Sequence, residues 1–237
     1  MIPDQYAALA RQLITDSEFM RQAAPATVDA VLAAASVRRF PAGTLLYARG
    51  AEVCDFVMIL EGVLEAGSGS GDGRKSICWH LPAGEWIHMI PLLDGKGSIH
   101  DFRAHTDIAT LNLPRVAFLQ AMQTDFGFNL AVLKILCERS RFTYDTMAAE
   151  ALLPLPARVA RMLLNLVEYH GRRTEAGTEI ELKLTQGELA AMLAVSRNSL
   201  SRELNAMQES GLIHIAYSHI TIRDETGLRG VLESLAD

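Results

Sequence analysis

Strand-length runs of hydrophobic residues, separated by turn residues, fill the stretch from about residue 37 to 113. They are Val37 to Phe40, Thr44 to Tyr47, Phe56 to Glu61, Val63 to Ala66, Ser76 to Leu81, Phe102 to Ala104 and Ile108 to Leu113. Such regular spacing predicts a compact all-β unit, a β-roll or barrel. Gly43, Gly50, Gly62, Gly73 and Gly84 stand between the runs, where a chain turning a corner often needs φ > 0, and Gly67 to Gly73 reads as a hairpin tip. Upstream, Gln5 to Leu13 and Thr27 to Ala35 read as helices packed on the roll's outer face. A β-only enzyme core would share this pattern, so it says nothing of function by itself.

After Pro114 the period lengthens to about 3.5. Between Asp125 and Leu153 the residues Leu130, Leu133, Cys137, Ser140, Tyr144, Met147 and Ala151 recur at alternating steps of three and four, one seam of a coiled coil. Ile135, Phe142 and Ala149 lie elsewhere on the same helix and offer a second face to its own β-roll. A long helix with two buried faces suits a dimer axis; the alternative is a single amphipathic helix packed on a monomer. Leu153-Pro154-Leu155-Pro156 ends it, because proline disfavours helical geometry before it and lacks a backbone donor, which makes this a hinge candidate. A fresh helix, Ala157 to His170, is apolar along Val159, Met162, Leu163, Leu166 and Val167, and the polar segment Gly171 to Gly177 links it to a strand around Glu179 to Leu184.

Thr185-Gln186-Gly187-Glu188 has capping-box spacing and opens a short helix, Gln186 to Leu193. Ser196 is a good N-cap for a second helix running to about Glu209. Ala190, Val195, Leu200, Leu204 and Met207 supply a shared core for two crossed helices, while Arg197, Asn198, Ser199, Ser201 and Arg202 stay polar on one side. That is the layout of a helix-turn-helix. Ile213 to Ala216 and Ile220 to Arg223, around Tyr217-Ser218-His219, read as the two strands of a wing. Thr185, Gln186, Ser196, Arg197, Asn198, Ser199, Ser201 and Arg202 are therefore the candidate DNA-binding residues. Arginine suits guanine and asparagine suits adenine in a major groove, and a helix amino terminus favours phosphate.

Composition narrows this reading. The 237 residues suit two domains, each with its own core. The formal charge of −6 denies the chain any long-range attraction to phosphate, so DNA binding must come from a local patch. Cys54, Cys78 and Cys137 are odd in number and widely spaced, against a disulfide framework or a cysteine-only metal site. No run approaches a membrane span and the start lacks signal-peptide character, which places the protein in the cytoplasm, away from membranes.

The roll, long helix, hinge and winged helix, in that order, resemble the Crp/Fnr family over nearly the whole chain. The resemblance is carried by Arg158 to Leu166, by Leu184 to Ala190 and by Val195 to Arg202. In the roll it is carried by Phe40-Pro41-Ala42-Gly43-Thr44, Glu61-Gly62 and Pro82-Ala83-Gly84-Glu85. It implies an α+β architecture: a jelly-roll-like β-roll sensor over 1–124, a dimerisation helix over 125–153 and a winged helix-turn-helix over 154–237. It also implies a non-enzymatic homodimeric regulator whose partners are two-fold symmetric double-stranded DNA and RNA polymerase. Three positions depart from the family's DNA-binding pattern. Asn198 stands where many members have glutamate, Ala194 where the turn usually has glycine, and Glu203 where an apolar residue is common.

The sensor departs further. Cyclic-AMP-binding members hold the ribose with a glutamate and the cyclic phosphate with an Arg-Ser pair; here Met89 falls near the glutamate and Ser98-Ile99 near the pair. Losing the arginine fork removes the strongest phosphate donor and argues against cyclic AMP. The chain has no cysteine before Cys54, against the family's iron–sulfur cluster. Haem remains open through His80, His88, His100, His105 and Cys78, although their spacing matches no metal signature and no metal ligand is assigned. What remains is a small organic effector, with Gly84, Glu85, His88, Met89, Ser98, Ile99 and His100 of the roll and Thr143 and Tyr144 of the long helix as pocket candidates. Tyr144 belongs to the seam as well and could couple effector to partner. The rivals are a haem- or metal-based sensor of the same fold, a cyclic-nucleotide module without DNA binding, and a cupin-like metal-dependent enzyme. The last needs a compact H-x-H set that is absent from the sequence.

Overall fold

A computed structural model describes residues 2–18, 20–69, 75–216 and 219–233. Most of the expected hairpin tip, residues 70–73, and the wing tip at Tyr217-Ser218 lie outside these. The chain divides into two compact units, Met1–Gly73 with Cys78–Phe142, and Arg74–Ile77 with Thr143–Asp237.

The first unit opens with helix α1 (Asp4–Asp16), a 3₁₀ turn at Met20–Gln22 and helix α2 (Pro25–Ala34). Strands β1 (Ser36–Phe40), β2 (Leu45–Tyr47), β3 (Asp55–Glu61), β4 (Leu64–Gly69), β5 (Lys75–Leu81) and β6 (Trp86–Ile87) follow. Then come helix α3 (Met89–Asp94), strands β7 (Asp101–Ala104) and β8 (Ile108–Pro114), helix α4 (Arg115–Thr124) and helix α5 (Phe126–Leu152), of which the part to Phe142 belongs to this unit and the rest to the second. The strands form two four-stranded sheets, β1-β8-β3-β6 and β2-β7-β4-β5. Alternation decides the layers. Val57 and Ile59 of β3 pack with Leu64, Ala66, Leu81, Phe102 and Ala104 to fill the roll. Phe56, Met58 and Leu60 of the same strand point the other way, into a second cluster with Tyr6, Val31, Phe118 and Phe128 of the helices. Strand β3 is thus buried on both faces, which is why Phe56 to Leu60 is an unbroken apolar run. The Asp125 carboxylate caps α5 by accepting from the Gly127 and Phe128 N–H groups, and it also accepts from the Ala24 N–H, tying α5 to the start of α2.

The second unit holds helix α6 (Leu155–His170), strands β9 (Gly171–Thr174) and β10 (Gly177–Ile180), and helices α7 (Gln186–Met192) and α8 (Arg197–Glu209). Strands β11 (Ile213–Ala216) and β12 (His219–Ile222) and helix α9 (Glu225–Glu233) complete it. Gly171 to Gly177, expected to be a polar linker, forms most of a hairpin that extends the wing into a four-stranded sheet, β11-β12-β10-β9. Its signal is hidden because Arg172 and Arg173 of β9 are exposed and the edge is held by charge, Arg172 pairing with Glu179 and Glu181. The strand expected over Glu179 to Leu184 ends at Ile180; Leu182 and Leu184 are buried without belonging to a strand.

Two turns carry opposite backbone demands. Gly62 has φ +82°, and a Cβ there would sit 2.1 Å from the Asp107 carbonyl oxygen. Ala194, between α7 and α8, is held at φ +54° although it carries a Cβ. Gly62→Ala is expected to destabilise the protein by about 2 kcal/mol or more, whereas Ala194→Gly should stabilise it by about 0.5 to 1 kcal/mol through relief of left-handed strain. Urea titration of both variants reads the two signs; equal shifts in one direction would contradict this account.

Candidate nucleic-acid interface and sensor interior

The start of α7 is fixed by a full capping box: the Thr185 Oγ1 accepts from the Glu188 N–H at 3.2 Å, and Glu188 Oε2 accepts from the Thr185 N–H at 2.7 Å. Ser196 caps α8, its Oγ accepting from the Ser199 N–H at 3.1 Å. Between them the Val195 N–H bonds the Ala190 carbonyl, closing the turn. Arg158 of α6 donates to the Leu193 carbonyl at 2.7 Å, which holds the end of α7.

Helix α8 is sharply two-sided. Leu200, Leu204 and Met207 are buried with Leu189 and Ala190 of α7. Arg197, Asn198 and Arg202 are exposed, Ser199 and Ser201 are half-buried, and Thr185 and Gln186 open the neighbouring helix. The Arg202 side chain is 76% exposed and meets only the adjacent Glu203 among the described ion pairs, at 3.5 Å, so its guanidinium is held loosely. All the candidate DNA-binding residues thus lie in the first turns of α7 and α8. Nearby, the wing strand β12 pairs with β10, and His219 Nδ1 lies 3.1 Å from Glu179 Oε1. Sequence reasoning missed Arg172 and Arg173, which the β9–β10 hairpin adds to the wing sheet; only a glycine at each end marked that hairpin.

Inside the roll, His88 is 4% exposed and adopts φ +77° just before α3. Its ring lies 4.2 Å from that of Tyr47 and 5.1 Å from that of Phe102. Burial pushes its pKa down to about 4, with the Asp55 backbone opposing only in part, so the imidazole is neutral at pH 7. His100 is also shifted down, first by burial and then by the cations Arg49 and Arg139. It packs on Phe102 and Trp79, and Trp79 in turn meets Phe142 of α5 with ring centroids 5.2 Å apart. One turn before Phe142, Arg139 donates to Glu85 Oε2 at 3.0 Å and to the Trp86 carbonyl.

The expected effector residues therefore separate. His88 and His100 share the aromatic interior, and Glu85 joins Arg139, a residue that the sequence reading did not single out. Gly84 serves the turn after β5, its N–H bonding the Ile59 carbonyl. Met89 is buried in the helical cluster beside Phe56 rather than in the roll core, the Ser98 hydroxyl donates to the His100 carbonyl, and Ile99 is 43% exposed. Thr143 and Tyr144 are exposed. Of the seam, Leu133, Cys137, Ser140, Tyr144, Met147 and Ala151 are exposed and Leu130 is half-buried, whereas Ile135 and Ala149 are buried and Phe142 is half-buried. No helix among the described residues is long and apolar enough to cross a membrane.

Known proteins share this plan. Residues 37–125 match the model of the cyclic nucleotide-binding domain, and residues 157–231 that of the Crp-like helix-turn-helix domain. The cAMP-activated global transcriptional regulator Vfr of Pseudomonas aeruginosa is 26% identical over 79% of this chain and 89% of its own length. The HTH-type transcriptional regulator Cmr of Mycobacterium tuberculosis is 28% identical over 85% of this chain and 78% of its own. The crystal structure of TTHB099, a CRP family regulator from Thermus thermophilus, superposes with a TM-score of 0.70 at 25% identity, covering 84% of this chain and 98% of that one. A β-roll followed by a capped, two-sided pair of helices with its wing, matched along both parts of the chain, makes this protein a member of the Crp/Fnr family of DNA-binding transcriptional regulators, which are not enzymes.

Proposed function

We propose that the protein is a cytoplasmic homodimer that binds two-fold symmetric DNA through α8 under the control of a small effector other than cyclic AMP, and that it acts with RNA polymerase. The observation that carries the reading is α8 itself: a buried Leu200, Leu204 and Met207 side backs an exposed Arg197, Asn198 and Arg202 side at the helix start. Two such helices enter successive major grooves about one DNA turn apart. The exposed apolar seam supports the dimer, since Leu133, Tyr144 and Met147 are 48%, 70% and 61% exposed in a single chain. In functional terms the parts are a sensor over 1–124, a dimerisation helix over 125–153 and a winged helix-turn-helix over 154–237, with Pro154 and Pro156 at the hinge.

For the effector, Vfr is by name cAMP-activated, which makes a cyclic nucleotide the second reading. Three residues favour a different ligand. Ile99 brings no cation, Met89 is buried among the helices, and His88 fills part of the interior as a neutral ring. Of the two arginines whose charge reaches His100, Arg139 is already paired with Glu85, and no arginine stands at positions 98 and 99 to fork a phosphate. The rings of Tyr47, Trp79, His88, His100 and Phe102 gathered in this interior favour a small organic molecule over an anion.

On an operator selected from random DNA by the wild type, Arg197→Ala and Arg202→Ala should each lose about 1 to 3 kcal/mol of binding free energy in a salt-controlled gel-shift titration. Unchanged affinity in both would defeat the assignment of α8. Mild oxidation should crosslink two chains through Cys137, which a symmetric parallel seam brings against its own copy, and Cys137→Ser should abolish the product. Because the folded His88 pKa lies below its unfolded value of about 6.5, the protein binds fewer protons when folded. Its contribution to stability is present above pH 6.5 and is lost as pH falls through about 4, at a cost approaching about 3 kcal/mol. His88→Leu should flatten the stability profile in that window, read by urea denaturation at stepped pH.

A further inference from the structure

Strand alternation sorts the residues of the second sheet of the roll. Leu64, Ala66, Leu81, Phe102 and Ala104 face the interior, with Trp79 packed against them. Glu65 of β4, His80 of β5 and His105, just past β7, have the opposite parity and fall on the sheet's other face. The ladder between β4 and β7 places Glu65 opposite Arg103, and the His105 N–H continues it by bonding the Val63 carbonyl at 2.9 Å. Three neighbouring strand positions thereby bring two imidazoles and a carboxylate together. One ligand atom from each lies within 4.8 Å of the other two, and the His80 and His105 rings are 4.8 Å apart, edge to face. His80 is 6% exposed, and Glu65 and His105 are half-buried. Arg103, the cross-strand neighbour of Glu65, donates from its NH1 group to the Gly43 carbonyl.

We propose that Glu65, His80 and His105 form a binding site for a divalent transition-metal ion of the zinc class, on the face of the sheet away from the sensor interior. Two imidazoles and one carboxylate are a donor set such ions accept, and they leave a fourth tetrahedral position to water. Bonds of about 2.0 to 2.2 Å require donors about 3.3 Å apart, so side-chain rotations of about an ångström close the present arrangement onto an ion. The backbone needs no change, because β4, β5 and β7 are already neighbours in one sheet. A filled site would pin β5 to the β7–β8 turn. Its residues have the parity opposite to that of Trp79, Phe102 and Ala104, which line the interior.

The test uses the full chain, stripped with chelator and titrated with zinc by calorimetry, and with cobalt to follow visible absorption. One ion per chain is expected, with tetrahedral cobalt bands and a thermal transition raised by zinc. His105→Ala and Glu65→Gln, both at half-buried positions, should each weaken binding at least tenfold. Should either variant fold poorly, anomalous scattering at the zinc edge from wild-type crystals grown with zinc locates the ion directly. No stoichiometric binding, undiminished binding in both variants, or an ion placed at the cysteines or at His214 and His219 would overturn the proposal.

Discussion

The double-sided burial of β3 is the constraint on which the sensor depends. One strand supplies Val57 and Ile59 to the roll and Phe56, Met58 and Leu60 to the helical layer, so the interior and the helices share a wall. Helix α5 is anchored to that wall by Phe128, Ala131, Val132 and Ile135, all buried. From this anchorage Arg139 and Phe142, one turn apart, reach Glu85 and Trp79. A shift of the interior would be felt by the helix through these contacts rather than absorbed by soft packing, because close-packed layers have few voids to yield.

How far the fold could be read from sequence followed the physical signal available at each element. The seven-residue pattern along α5 is an apolar stripe that stays exposed in the single chain, whereas the runs of β3 and β8 are dominated by burial, and burial leaves periodicity. Hairpin β9–β10 is held by Arg172 with Glu179 and Glu181, and a solvated charged edge leaves none. The short helices α3, α4 and α9 are set by their neighbours more than by their own propensity, since helices of so few turns are marginal alone. At the interface, the capping residues Thr185 and Ser196 were legible because capping is local chemistry. In the sensor, identity was legible but placement was not: Met89 and His88 are adjacent in sequence, yet one joins the helical cluster and the other the roll, separated by the left-handed backbone at His88.

The turn between α7 and α8 shows how a departure from a family pattern can be accommodated. Ala194 takes the left-handed conformation that glycine adopts without strain, and it does so because the Val195 N–H bond to Ala190 and the Arg158 bond to Leu193 fix the chain on both sides. The turn is thus held by one bond of its own and one from α6, beside the core that Leu189, Ala190, Leu200 and Leu204 share.

Charge placement on the second unit has a further consequence. Over 154–237 nine basic residues stand against eleven acidic ones, so the exposed Arg197 and Arg202 of α8 are local cations on a segment with no net positive charge. With acidic residues in slight excess over the segment, bulk charge gives a polyanion no general attraction, and what attraction there is comes from local groups of arginines. Such a charge balance shortens residence on unrelated duplex and makes recognition depend on fit at the groove rather than on bulk attraction.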